Sequence, residues 1–369
     1  MLLTIAFAIL LVAAIPYFVY LAGIKFGRKS TAAASPALLP SITIIMSAYN
    51  EERVVTERIA NLEQCRYPTE KYEVIFIDDC SSDNTLANAT KSLEKSGITH
   101  RIIPNKERLG TNRSYNHAMK LARYPVIVTT DADVFFEPDA LDILISRLMS
   151  EEKIAAVTGD LRPRMNDCGT TRLEGEYRSF YGRMCDWESA VDSTYNFNGA
   201  LVAFKTNLIR RIDDKRGSDD ANTAFEAIRR GFRTVYERRA IVYEDIPSSF
   251  AIQYRQKIRR AKRLIEATLA NLDLLEKNRP FTRFFYPLRI FMLVITPALF
   301  LIGLALLAAS LFLYNPLILA VLICLAGFVT LLWRENLFAA FVVNQFYLFM
   351  GLLTMGRDTR TWESTSKKK

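Results

Sequence analysis

The sequence predicts an α/β fold, a doubly wound and largely parallel sheet, with apolar helices at both ends of the chain. Three observations lead there. Short β-branched runs (SITIIM at 41–46, EVIFI at 73–77, PVIVTT at 125–130, IAAVTG at 154–159) alternate with segments of helical period. Aspartates stand where such strands end or helices begin: Asp78–Asp79, Asp131 and Asp133, and Asp219–Asp220. Stretches of bilayer-spanning length precede and follow this region.

The elements follow in order. Leu2 to Ile24 is uncharged, and Lys25, Arg28 and Lys29 come after it. A signal peptide carries positive charge before its apolar core. Here the order is reversed, so residues 1–24 read as a transmembrane helix with the following chain in the cytoplasm. Residues 25–40 form a linker, and 41–270 form the cytoplasmic α/β domain. Within it, segments near 52–63, 84–95, 112–123 and 138–149 read as helices. In the last, Ala140, Leu141, Leu144 and Leu148 share one face behind Pro138. Residues 247–270 read as a basic helix at the membrane interface.

Residues 284–355 hold three apolar candidates, Phe284–Leu313, Pro316–Trp333 and Leu337–Met355, before a basic tail at 356–369. Three crossings would put that tail outside, whereas Arg357, Arg360 and Lys367–Lys369 prefer the inside. Leu337–Met355, which carries Asn344 and Gln345, is therefore the segment expected to lie in the interface or re-enter. Together these features place the protein in the plasma membrane as a multi-pass chain.

Composition agrees and excludes other classes. The 369 residues include 50% hydrophobic and 24% charged, with mean hydropathy +0.08, so the apolar content must be unevenly distributed. The net charge is +9, and the basic clusters sit beside apolar spans, which points to cytoplasmic Lys and Arg and not to nucleic acid. Five cysteines form no CxxC pair, as expected of reduced thiols in the cytoplasm. Two histidines leave little basis for zinc or His-based acid–base chemistry.

Five stations carry candidate chemistry. Ser47-Ala48-Tyr49-Asn50-Glu51-Glu52 follows the first strand, where a strand-to-helix turn offers N–H groups and a polar rim to a nucleotide; Asn50 as a helix cap explains it equally well. Asp78-Asp79-Cys80-Ser81-Ser82-Asp83 offers Asp79 to a base or ribose, while Ser82 or Asp83 caps the next helix. Asp131-Ala132-Asp133 projects two carboxylates to one side of an extended segment. They would repel unless a divalent cation bridged them to a diphosphate. Ser218-Asp219-Asp220 opens a helix that buries Ala221, Ala224, Phe225 and Ile228 and ends at Gly231. One aspartate suffices as its cap, so the other is available as a general base. Gln256, Arg259, Arg260 and Arg263 share a helical face suited to phosphate oxygens, or to anionic lipid headgroups.

These motifs in this order resemble the inverting family-two glycosyltransferases of GT-A fold, in particular membrane synthases related to cellulose, chitin and hyaluronan synthases. The resemblance runs from about Ile42 to Arg263, with matching apolar flanks. It implies that Tyr49, Glu51 and Asp79 contact the nucleoside of an NDP-sugar, with Asp131 near it. It implies that Asp133 coordinates Mg²⁺ or Mn²⁺ with the diphosphate, and that Asn198-Gly199-Ala200 lies beside the donor sugar. Asp220 would be the catalytic base of an acidic pair with Asp219, here Asp–Asp where the family has Glu–Asp. Gln256-Lys257-Ile258-Arg259-Arg260 resembles the Gln-x-x-Arg-Trp motif that holds acceptor and diphosphate. Two departures stand out: Arg260 replaces the Trp that helps place the acceptor sugar, and Arg108-Leu109-Gly110-Thr111 lacks a lysine after the glycine. Arg108 or Arg113 would then supply charge to the phosphates, and Asn116 matches the family asparagine.

The resulting expectation is a metal-dependent hexosyl transfer in polysaccharide or glycolipid biosynthesis, UDP-sugar favoured, to a glycan or lipid-linked acceptor among membrane lipids. The alternatives are a polyprenyl-phosphate sugar transferase and a non-catalytic membrane scaffold or transporter. Against the last, transporters place polar groups mid-membrane, and the spans here are nearly free of charge.

Overall fold

The structure, a computed structural model, describes residues 1–30, 39–164, 169–212, 219–246, 250–318, 321 and 337–356. Most of the expected segment Pro316–Trp333 and the basic tail from Arg357 lie outside the described residues, as does half of the linker.

Strands β1 (Ile42–Ala48), β2 (Tyr72–Asp78), β3 (Thr99–Pro104), β4 (Val126–Asp131), β5 (Val134–Phe136), β6 (Ile154–Pro163), β7 (Val202–Lys205) and β8 (Arg233–Glu244) form one sheet in the order β3-β2-β1-β4-β7-β6-β8-β5. The half from β3 to β4 is parallel, as the β-branched runs predict. The other half is mixed. Strand β7 enters antiparallel between β4 and β6, and β5 pairs antiparallel with β8. The reversal into β7 follows Gly199, whose φ of 72° lies in the left-handed region that glycine enters without steric cost.

Both faces of the sheet are covered, which is why its strands read as unbroken apolar runs. Ile44, Met46, Val74, Phe76 and Val128 face helices α2 (Val55–Glu63), α3 (Thr85–Ser96) and α5 (Ala140–Met149). The predicted stripe Ala140, Leu141, Leu144 and Leu148 is buried there. Ile45, Ile75, Ile77 and Ile127 face α4 (Thr111–Met119), α6 (Gly169–Val191) and α7 (Asp219–Arg229). Ala221, Ala224, Phe225 and Ile228 of α7 are all buried in that second layer.

Helices α1 (Leu2–Phe26) and α9 (Phe281–Tyr314) are long and apolar enough to cross a membrane, and they pack along each other. Two π-helical turns, Phe281–Phe285 and Phe291–Ile295, interrupt α9. Helix α10 (Leu337–Leu353) is shorter and packs on α6 and on α8 (Phe250–Ala270). Its Gln345 donates to the Tyr17 hydroxyl at 2.7 Å. A buried ion pair, Arg289 Nε to Glu188 Oε1 at 2.7 Å, joins α9 to α6, and the Tyr20 hydroxyl of α1 donates to the same carboxylate. Removing one partner of such a pair strands a buried charge, so the apolar helices are held to the domain by more than apolar contact.

Candidate active site

Strand register brings the first three stations level. Ala48 pairs with Asp78 and Ser47 with Asp131, so the carboxyl ends of β1, β2 and β4 form one edge. The loops above this edge are laced together. Asn50, at φ 54°, accepts the Ser82 N–H at 2.8 Å. The Glu51 N–H donates to Thr85 Oγ1 at 2.7 Å, and Glu52 accepts the Asn84 N–H at 3.1 Å. Asn50 therefore ties two loops together instead of capping α2. Asp83 accepts the Thr85 N–H at 3.0 Å, which satisfies a donor in the first turn of α3.

Asp79 is 3% exposed. Its carboxylate accepts the N–H groups of Leu109 at 2.8 Å and Gly110 at 3.0 Å, and the Asn105 amide at 2.9 Å. It thereby holds the turn into α4 while still lining the cavity beside Tyr49 and Glu51. The Arg108 guanidinium from that turn lies over the Tyr49 ring, 3.5 Å from its centroid. Two residues assigned separate tasks from sequence thus form one stack. Asn116 takes a different place: its side chain bonds the Ile212 N–H at 2.9 Å and carbonyl at 2.8 Å.

A cavity of about 340 Å³ opens over the sheet edge. Tyr49, Glu51, Asp79, Asp131 and Asp133 line it. Asn198, Gly199 and Asp220 also line it, as do Gln256, Arg259 and Arg260 of α8. Asp219 begins α7, and its side chain lies outside the described residues. The Asn198 amide donates to the Gly159 carbonyl at 2.6 Å, and its oxygen accepts the Ala200 N–H at 3.2 Å. This fixes the turn that faces Asp220.

The basic run divides by partner. Lys257 donates to Glu174, Arg178 Nε bonds Glu174 at 2.6 Å, and Arg178 Nη2 bonds Glu244 at 2.9 Å. Arg260, standing where the family has Trp, donates to Glu244 at 2.9 Å. Burial raises the Glu174 carboxyl, but Lys257 and Arg178 outweigh it and hold the group at about 2. Arg259 makes no hydrogen bond or ion pair among the described residues. Burial first, then the charges of Arg260 and Arg263, lower its pKa to about 10, against the pull of Asp131 and Glu244. At neutral pH it remains a cation facing the cavity, ready for an anion.

Several lining residues were not anticipated from sequence. Helix α6 contributes Glu174, Tyr177, Arg178 and Tyr181. Their spacing of three and four, an aromatic pair beside a charged pair, was the available signal. Asp160 and Tyr236 meet side chain to side chain on neighbouring β6 and β8. Leu293 of α9 and Asn344, Tyr347 and Leu348 of α10 complete the wall, so the cavity reaches from the aspartates to the apolar helices.

The donor set suits a hard cation. Asp131 and Asp133 offer oxygen alone, and among the described residues no group of three or more His, Cys, Asp or Glu side chains converges to hold a metal unaided. A cation here would complete its shell with phosphate oxygens and water, which Mg²⁺ and Mn²⁺ accept.

Comparison with known proteins completes the assignment. Residues 43–198 match the glycosyl transferase family 2 profile, and residues 126–334 match that of glycosyl transferase family group 2. The poly-β-1,6-N-acetyl-D-glucosamine synthase of Staphylococcus aureus (strain COL) is 25% identical over 250 residues, 67% of this chain and 60% of that protein. The synthase of Staphylococcus epidermidis is 23% identical over the same shares. The chain thus spans 60% of the length of these curated relatives. A mannosyltransferase from Pyrobaculum calidifontis, solved in complex with GDP-Man and Mn²⁺, superposes with TM-score 0.82 at 23% identity, covering 96% of this chain and 98% of that one. That likeness shows the GT-A fold, and the family match extends over more than half of the chain. The aspartate-lined sheet edge therefore belongs to a glycosyltransferase, a member of glycosyl transferase family 2.

Proposed function

We propose that this enzyme moves a hexosyl residue, with inversion, from a nucleoside diphosphate sugar to a lipid-linked or glycan acceptor at the cytoplasmic face of the plasma membrane. The observation that carries the reading is the single cavity: it joins Asp79, Asp131, Asp133 and Asp220 to Arg259 and continues to Leu293 and Leu348 on the apolar helices. The nucleoside lies by Tyr49, Glu51 and Asp79. Asp133, with Asp131 beside it, would hold Mg²⁺ or Mn²⁺, and the bound cation would offset the negative charge of the diphosphate. Asp220 takes the proton of an acceptor hydroxyl as its oxygen bonds to the anomeric carbon. The bond from that carbon to the diphosphate oxygen breaks, and its electron pair leaves with the nucleoside diphosphate. Arg259 stabilises that departing charge. Asn198 and Gly199 border the donor sugar.

The uridine donor remains the favoured one from sequence. A guanosine donor is the second reading, supported by the GDP-Man held in the Pyrobaculum calidifontis mannosyltransferase. A polyprenyl phosphate acceptor is supported by the apolar wall, since a phosphate oxygen needs no strong base. Purified protein in lipid vesicles, offered a panel of UDP- and GDP-sugars with sugar-bearing or polyprenyl-phosphate acceptors, separates these arms by the nucleotide released and the product labelled. Absence of release with every donor would overturn the proposal.

A further inference from the structure

We propose that Arg58 is a positioning residue of the Asp131-Ala132-Asp133 turn, bracing it from beneath and offsetting its charge. Arg58 lies on α2 and is fully buried. Its Nη2 donates to Thr130 Oγ1 at 3.2 Å and its Nη1 to Asn61 Oδ1 at 3.0 Å. Its guanidinium carbon lies 4.0 Å from the centroid of the Phe136 ring. Asn61, one helical turn on, binds both backbone groups of Phe136: it accepts the N–H at 2.7 Å and donates to the carbonyl at 3.0 Å. Thr130 passes the connection onward, donating to the Ala200 carbonyl at 2.8 Å in the turn that faces Asp220. One side-chain pair on α2 thus grips the chain just before Asp131 and just after Asp133.

The charge of Arg58 requires an answer. A guanidinium withdrawn from water is costly unless compensated. Its Nε finds no acceptor, and no carboxylate forms an ion pair with it among the described residues. Burial lowers its pKa to about 10, and the groups that oppose the shift include Cys65, then Asp133 and Asp131. The two aspartates that line the cavity therefore feel the positive charge of Arg58, which is bonded to Thr130 just before them. A cation arriving from the cavity meets a pair already partly neutralised and held in register. Arg58 thus weakens intrinsic cation affinity while orienting the carboxylates. In the absence of donor, cation occupancy would stay low.

This inference rests on the reading of Asp133 as the cation ligand, and the test separates the two. Mn²⁺ alone is titrated into purified full-length protein and followed by electron paramagnetic resonance. Arg58→Gln and Arg58→Met should each bind Mn²⁺ about tenfold more tightly, the effect of removing one like charge near the site. Arg58→Lys, which keeps the charge, should stay within about threefold of the parent. Asp133→Asn should abolish the binding. If Asp133→Asn binds as the parent does, the ligand reading fails and takes this inference with it. If Asp133→Asn loses Mn²⁺ while folded Arg58→Gln and Arg58→Met bind unchanged, the role of Arg58 is overturned; weaker binding by both would overturn the charge offset and support the brace. Failure of both neutral variants to fold, by circular dichroism, would equally overturn it by making the residue purely structural.

Discussion

Gly199 and Asp220 are packed so closely that a Cβ on the glycine would force the carboxylate to move. A Cβ on Gly199 would lie 2.7 Å from Asp220 Oδ2 and 2.9 Å from Oδ1. The backbone φ of 72° at Gly199 independently disfavours any other residue. Gly199→Ala should therefore cost about 1–3 kcal/mol of stability through backbone strain, and should displace the Asp220 carboxylate. Transfer should fall by on the order of 100-fold, as small misplacements of catalytic groups do. Thermal denaturation and steady-state kinetics on the same preparation check both parts. Unchanged kcat would remove the positional role given to Gly199.

Asp220→Asn keeps the shape of the side chain and removes its capacity to take a proton. Donor binding should survive, measured by calorimetry with the non-transferred nucleoside diphosphate. Turnover should drop by about 10²–10⁴-fold, the usual contribution of a positioned base. Near-parental kcat would assign the proton to another group.

Arg259 and Arg260 are neighbours with different partners, so their losses should differ. Arg260 is tied to Glu244, while Arg259 has no such tie among the described residues. Arg259→Ala should lower kcat/KM for the donor by roughly 10–100-fold, the worth of a charge-assisted hydrogen bond to the departing diphosphate. Arg260→Ala should instead lower stability by removing one of the cations that hold the buried Glu244 carboxylate, Arg178 remaining, with a smaller change in kcat/KM. Kinetics and urea denaturation of the two variants together test the division.

The Glu174 cluster predicts an acid-side stability profile. Its folded-state pKa, about 2, lies below the ordinary value of 4.5. A depressed carboxyl contributes stability that is present above the unfolded value and is lost as pH falls through the folded one. Parental stability should therefore decline between about 4.5 and about 2. Glu174→Gln strands Lys257, leaves Arg178 with Glu244 alone, and should cost roughly 3–5 kcal/mol at neutral pH. The gap between variant and parent should narrow across that acid window in denaturation at stepped pH. A constant gap would show that the loss does not come from the charge of Glu174.

Chelation supplies the cation test. EDTA should abolish transfer, and added Mn²⁺ or Mg²⁺ should restore it, followed by released nucleotide. Full activity of the chelated enzyme would remove the role proposed for Asp133.

What the sequence determined by itself is the set of local signals. A β-branched run followed by a polar turn and a helical period marks a strand end, because near-neighbour backbone chemistry makes it so. That sufficed for β1, β2, β4 and β6, for the apolar stripes of α5 and α7, and for Asp79, Asp131, Asp133 and Asp220 as residues to watch. The tertiary structure alone decided what meets what. It set Glu174 and Arg178 of α6 against Lys257 and Arg260 of α8, laid Arg108 on Tyr49, and brought Arg58 beneath the aspartate turn. It also threaded β7 antiparallel through the sheet and ran the cavity out to Leu293 and Leu348. Each of these contacts joins residues far apart in the chain, and partner choice there depends on how whole layers bury their apolar faces. No spacing of neighbours encodes that.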